Sequence, residues 1–553
     1  MMKRIVVVGG VAGGMSFATR YRRLNEEDHI IVLDKGPYVS FANCGLPYHI
    51  SGEIDKRSDL LVADQTMLQN RFQLDIRVNH EVVRIDPVIK ELTVVHEGKA
   101  SQIAYDSLVL SPGANPFIPD IEGMSLHPSV HTVRNIPDVD AIMKNLPSAE
   151  HAVVIGAGFI GLEMAESLHN RGLKVSIVER ESHVLGPFDE EMAVLAHDEL
   201  IRNGINVYTS ASVTRMSDGS VFLEDDTEIK VSIVILSVGV APATGFIDCV
   251  EKGMRGGIVV DEAYKTSQSD IYAVGDAIIV KNQINNQNAL ISLASPANRQ
   301  GRQLADNLSG LKNVNKGSIA TAIVRIFNLT FASTGLNERQ LTGQKNIQIM
   351  HLLGKSNAGY FPGASPIHLK VIFDADTHLV LGAQAIGQKG VDKRIDIIAT
   401  AIKGKMTIEE LQELEFTYAP PYGSAKDIVN MAGYVGFNII HQITSFVQWH
   451  EVNQLLEQGS ILVDVRRPDE YHTKHIKGAI NIPLDTLRCG MSQLDFDAKI
   501  IVHCESGVRS YNAERILKQA GYTVSNLDGS FELYSRMFPN DLVSSLGGLN
   551  HEM

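Results

Sequence analysis

The sequence predicts an α/β protein of several units, with doubly wound parallel sheets and an additional α+β segment. Three observations point there. Short β-branched strands run straight into glycine turns and then helices, once in residues 4–24 and again in 152–178. A third strand–loop–helix closes the chain, with strand Ile500–His503 followed by a loop over 504–510. The length of 553 residues leaves room for about three to five domains at roughly 100–200 residues each.

Composition excludes several classes. Asp+Glu number 64 against Lys+Arg 50, a net charge of -14 that disfavours nucleic acid or a membrane surface as a general partner. No apolar run approaches the roughly 20 residues of a membrane span. Lys3-Arg4 followed by an apolar stretch to Met15 mimics a signal peptide, but Gly9-Gly10 breaks it and a basic helix follows. Four cysteines, at 44, 249, 489 and 504, suit a reducing compartment, so the expected location is the cytoplasm.

The first strand opens RIVVVGGVAGG, residues 4–14, with Gly9, Gly10, Val11, Ala12, Gly13 and Gly14 in the turn. Strand Ile30–Leu33 ends at Asp34-Lys35, about 20 residues on, where an acid binds a ribose hydroxyl while turn amides meet a pyrophosphate. Val11 stands where the middle glycine of that fingerprint belongs. The second copy, AVVIGAGFIGLE, has the full spacing: Gly156, Gly158, Phe159, Ile160 and Gly161, then Glu179 at the end of strand 175–178. A carboxylate there repels a 2′-phosphate and favours NADH; Arg180 beside it leaves NADPH open. Two copies imply two nucleotides.

Further along, Ser107–Leu110 runs into Ser111-Pro112-Gly113, Ile233–Leu236 into Ser237-Val238-Gly239, and IYAVGDA ends in Gly275-Asp276. Over residues 2–440 the pattern resembles the glutathione-reductase-like flavoprotein disulfide reductases. The resemblance implies FAD on residues 1–120 and 272–325, with Ala297 and the Gly275-Asp276 pair beside the flavin. It implies NAD(P)H on 121–271 and a dimerisation domain over 326–440, hence a homodimer. Phe159 resembles that family's aromatic gate over the flavin.

In YVSFANCGLPY, Cys44 has no C-x4-C partner, so a redox role needs an external thiol, peroxide or sulfane sulfur. The segment resembles the single-cysteine branch, which includes coenzyme A disulfide reductase, NADH oxidase and NADH peroxidase. The oxidase and peroxidase members carry His where Ala12 stands here, which weighs toward the disulfide-reductase side. That resemblance implies coenzyme A phosphates on Arg20 and Arg23, pantetheine near Ser40 and Asn43, and Tyr360 and Tyr418 supplied from a partner subunit. A phenol is protonated at neutral pH and can donate to a leaving thiolate.

The tail changes character. LVDVRRPDEYHTKHIKGAINIP, residues 462–483, resembles the rhodanese domain, here assigned to 456–553 after a linker at 441–455. HCESGVRS, from His503, resembles a tyrosine-phosphatase loop as well, but four residues separate Cys504 from Arg509 where phosphatases have five. The shorter loop suits a persulfide, and its amides with Arg509 favour a thiolate or persulfide anion on Cys504. The segment from Gly529 to Tyr534 departs from the rhodanese pattern at the substrate rim. No metal site is expected, and Cys249 and Cys489 fall in no motif.

The expected function is an FAD-dependent NAD(P)H oxidoreductase acting on coenzyme A disulfide, coenzyme A persulfide or polysulfide. It would work through a mixed disulfide on Cys44, with sulfane sulfur relayed through Cys504 and H₂S released. The alternative is an NADH oxidase or peroxidase with an accessory sulfurtransferase tail.

Overall fold

A computed structural model describes residues 2–343 and 346–545. The chain divides into two compact units: Met1–Leu185 with Leu200–Ala320, and Gly186–Glu199 with Thr321 onward.

The first unit holds two parallel sheets. In one, the strand order is Ile271–Ala273, Ser107–Leu110, Arg4–Val8, His29–Leu33, Asp75–Arg77. In the other it is Asn206–Tyr208, Lys174–Val178, His151–Ile155, Ile233–Leu236, Val130–His131. Each central strand is buried on both faces, which is why these segments read as unbroken aliphatic runs. Antiparallel three-stranded ribbons, Glu81–Ala104 and Val213–Lys230, flank them. Helix Ala12–Arg22 packs on helix Ala294–Leu308 so closely that a Cβ on Gly301 would lie 2.2 Å from the Gly13 carbonyl oxygen. The first helix starts at Ala12 and takes in Gly13, whose carbonyl makes that contact.

The second unit has an antiparallel sheet and a parallel one. The antiparallel order is Ala322–Ile326, Leu329–Gly335, Val380–Gly387, Pro366–Asp374, Ile347–Lys355, with helices Val391–Gly404 and Ile428–Ile440. The parallel order is Phe446–Val447, Val524–Leu527, Ile500–His503, Ile461–Asp464, Ile480–Asn481. Phe446–Val447 lies in the stretch expected to be a linker; it pairs with Asn526-Leu527 as an edge strand of that sheet.

A buried charge cluster spans the second unit. Lys370, wholly buried, binds Asp189 at 2.7 Å together with Glu191 and Glu338. These three carboxylates have metal-like spacing, but the ammonium occupies the space between them. His351 donates on both sides, to Glu191 (3.0 Å) and to Asp528 (2.7 Å). Among the described residues, no helix is long and apolar enough to cross a membrane.

Candidate active sites

The first nucleotide turn is shaped by contact distances. Gly9 has φ +98°, and a Cβ there would sit 2.0 Å from the Ser111 carbonyl oxygen. Val11 has φ −105°, outside the left-handed region that favours glycine. Asp34 closes the turn: its carboxylate accepts from Gly10 N–H and Gly36 N–H, both at 2.8 Å. Burial pushes the Asp34 carboxyl up, and those two amides with nearby Lys35 pull it back. The second turn repeats the device: Glu179 accepts from Ala157 N–H at 2.6 Å and Glu181 N–H at 3.0 Å. Arg180 is exposed and pairs with Glu181 at 3.1 Å.

Residues far apart in sequence meet beneath the first turn. A Cβ on Gly13 would touch Ser111 Oγ (2.9 Å) and the Ala297 carbonyl (3.5 Å); one on Gly275 would touch Ser111 Oγ (3.5 Å) and Ala297 (3.9 Å). Buried Gln300 fixes this floor by accepting from Gly275 N–H at 2.7 Å. Such a glycine-lined cradle, with an acid at its end, fits a dinucleotide and excludes side chains from the same space. Gly113 adopts φ +71° beside Arg134, and Gly239 lies where Val240–Pro242 pairs with Ala114–Pro116. Phe159 and Ile160 open the helix Phe159–Asn170, downstream of Gly156 and Gly158 and with Gly161 in its first turn.

Cys44 is exposed, in a single turn over Asn43–Gly45. Its loop is tied to the nucleotide turn by Ser40 N–H, which donates to the Gly10 carbonyl at 2.8 Å. Desolvation raises the Cys44 thiol, the Glu163 and Asp276 carboxylates raise it further, and Arg134 opposes them. Arg134 also lies 3.8 Å from Asp276 and 3.3 Å from the Asn43 amide oxygen. Tyr48 OH donates to Glu163 at 3.1 Å. The thiol is therefore set among two carboxylates and one guanidinium, a balance that a bound ligand can tip.

The arginine face on the first helix is less uniform than its spacing suggests. Arg20 pairs with Asp306 at 2.6 Å, and Arg23 lies over the Phe72 ring at 5.8 Å. Arg22 is buried on the carbonyls of Phe72, Asn25 and Asp28. In the second unit, Tyr360 and Tyr418 are exposed and share a hydrogen bond at 3.4 Å, which raises the Tyr418 phenol.

The C-terminal site is formed by the turn between strand Ile500–His503 and helix Val508–Gln519. Cys504 is buried; Gly507 N–H donates to its Sγ at 3.1 Å and Ser510 Oγ at 3.4 Å. Arg509 is held by Glu470 in a two-pronged ion pair, 2.7 Å on each arm. That pairing holds the Glu470 carboxyl down at about 2. Arg466 pairs with Asp464 (2.9 Å) and Glu505 (3.0 Å) and stacks over Phe531 at 3.7 Å. Phe531 is part of the segment that departs from the rhodanese pattern, and the stacking shows what that aromatic ring contacts.

Arg134, Gln300, Glu163, Arg466 and Glu470 were not singled out from sequence. Glu470 and Arg466 lay within the quoted 462–483 block, but their partners, Arg509 and Glu505, are about 40 residues away. Cys249 is half-buried, with its thiol raised by burial, and Cys489 is exposed.

Family comparisons agree with this geometry. The pyridine nucleotide-disulphide oxidoreductase pattern matches residues 3–301, its dimerisation domain 321–427, and a rhodanese-like domain 448–537. Coenzyme A disulfide reductase of Staphylococcus haemolyticus is 36% identical over 440 residues, covering 78% of this chain and 99% of that protein. The reduced Bacillus anthracis CoADR-RHD structure superposes with TM-score 0.96 at 44% identity, covering 98% of this chain and 99% of that one. A NAD-dependent persulfide reductase from A. fulgidus superposes with TM-score 0.90 at 33% identity, covering 96% and 100%. The chain therefore belongs to the pyridine nucleotide-disulphide oxidoreductase family and carries a rhodanese-like domain at its C-terminal end.

Proposed function

We propose that this enzyme reduces coenzyme A disulfide, coenzyme A persulfide or polysulfide with NADH, and that its rhodanese-like domain carries sulfane sulfur on Cys504. FAD is held by the cradle of Gly9–Gly14, Asp34, Ser111–Gly113, Gly275, Asp276 and Ala297. NADH is held by Gly156–Gly161 and Glu179, with Phe159 over the route between the two. When bound, the flavin passes two electrons from NADH to a disulfide.

The chain's own residues do the rest. With a disulfide substrate, Cys44 Sγ attacks one sulfur; the mixed disulfide forms, the substrate bond breaks, and one coenzyme A thiolate leaves. With a persulfide, Cys44 attacks the inner sulfur and hydrosulfide leaves. Two electrons then cleave the mixed disulfide and return Cys44 and coenzyme A as thiolates. Arg134 holds the Cys44 thiolate against Glu163 and Asp276. The chain works as a homodimer in the cytoplasm, and the partner subunit's Tyr418 gives the proton that the leaving thiolate takes up. Arg20 and Arg23 meet the coenzyme A phosphates, for which Arg20 must exchange Asp306.

The observation that carries this reading is one cysteine, without a C-x4-C partner, hydrogen-bonded through its loop to a nucleotide turn. The test is stopped-flow reduction with NADH followed by coenzyme A disulfide. Wild type oxidises NADH and incorporates coenzyme A on Cys44, seen by mass spectrometry. Turnover of coenzyme A disulfide with NADH by Cys44→Ser at the wild-type rate would overturn it.

A further inference from the structure

The guanidiniums beside the Cys504 loop are committed to carboxylates. Every nitrogen of the Arg466 fork is used: Nε and Nη2 on Asp464, Nη2 also on the Lys474 carbonyl, and Nη1 on Glu505. Both terminal nitrogens of Arg509 are taken by Glu470. Arg467, next along, is tied to Asp469 and Glu470. The two guanidiniums nearest the loop thus face three carboxylates, Asp464, Glu470 and Glu505, before any charge on the sulfur is counted. Glu505 follows the nucleophile directly and is the half-exposed member, 44% accessible.

An inorganic donor such as thiosulfate brings two negative charges on a compact sulfonate. It needs a cation with unspent hydrogen-bond donors, and the forks that could provide them are committed to carboxylates. A crevice of the second unit meets the loop at Ser506, lined by Leu195, Leu353, Leu369 and Leu533 together with His351, His368 and Glu532.

We infer that Glu470 and Glu505 are specificity-determining residues that exclude compact dianionic donors from Cys504 and reserve it for a persulfide. In that transfer, Cys504 Sγ attacks the terminal sulfur of R–S–SH. A new sulfur–sulfur bond forms, the donor's bond breaks, and its electron pair leaves on R–S⁻ while the proton stays on the transferred sulfur. With thiosulfate the same attack would have to expel sulfite past Glu505. The inference rests on Cys504 being the sulfur carrier proposed above.

The test uses the full-length enzyme with cyanide as acceptor and either thiosulfate or glutathione persulfide as donor. Glu505→Gln and Glu470→Gln should each raise the ratio of kcat/KM for thiosulfate over glutathione persulfide by about ten-fold or more, mostly through KM. In wild type, kcat/KM for thiosulfate should rise with ionic strength, because salt screens repulsion. An unchanged or lower ratio in both variants overturns the inference, as does a wild-type thiosulfate rate that falls with salt. Cys504→Ser separates the two ideas: if it keeps transfer from both donors, the carrier assignment fails, whatever the ratios in the glutamate variants.

Discussion

Glu179 sits at the end of its strand with both carboxylate oxygens already engaged by turn amides, so its position is fixed before any nucleotide arrives. Glu179→Ala removes the group that meets a ribose hydroxyl and repels a 2′-phosphate. Its kcat/KM ratio for NADH over NADPH should fall by about ten-fold or more in steady-state assays. Single residues of this kind were legible because the fingerprint is local: strand, glycines and acid lie within about 30 positions. Arg134 and Gln300 were not. Each approaches its site from a distant stretch of chain, and nothing in its neighbours announces a hydrogen bond to Asn43 or to Gly275. The same holds for Glu470, which looks like an ordinary helix-start acid until Arg509 is brought against it.

Among the elements, helix Ile428–Ile440 depends on one carboxylate with two tasks. Asp427 accepts from Val429 N–H at the helix start and from Arg394 Nη2 at 2.6 Å, with both side chains about 2% exposed or less. Asp427→Asn leaves the guanidinium buried without its counter-charge. It should cost about 3–5 kcal/mol in urea denaturation followed by circular dichroism. Strand Ile347–Lys355 carries a different charge dependence. His351, between Glu191 and Asp528, is raised from 6.5 to about 9; burial opposes the charge but the two carboxylates outweigh it. A raised pKa stabilises the fold fully below about 6.5, and that contribution is lost as pH rises through about 9. The melting temperature should therefore fall between pH 7 and 10, and His351→Gln should flatten that slope. Aliphatic strands ending in glycine were predictable from their buried runs. Phe446–Val447 was not, because a two-residue edge strand is too short to show a period.

At the level of the whole chain, the two sulfur sites make separable predictions. Cys504→Ser should retain NADH-driven reduction of coenzyme A disulfide within about two-fold, while losing sulfurtransfer from glutathione persulfide to cyanide. Gly301→Ala probes how the first unit is assembled: a methyl 2.2 Å from the Gly13 carbonyl forces apart the two helices that flank the first nucleotide cradle. Purified protein should carry less flavin per chain, read from its absorbance ratio, and should melt at lower temperature. The order of modules along the chain was readable, since each opens with its own strand-and-turn motif. The charge cluster within the second unit was not, because it is made from five separate stretches of sequence.

One of those stretches has a consequence for how the gene can be cut. Gly186–Glu199 follows the second nucleotide turn in sequence yet belongs to the second unit, where Asp189 and Glu191 hold Lys370 and Glu191 also holds His351. Splicing out residues 121–271 as a cassette, or exchanging them for those of a relative, would strip a wholly buried ammonium of two of its three counter-ions. A transplant that respects the molecule must leave 186–199 with its recipient, so the unit of inheritance here is a two-part segment with a gap in it.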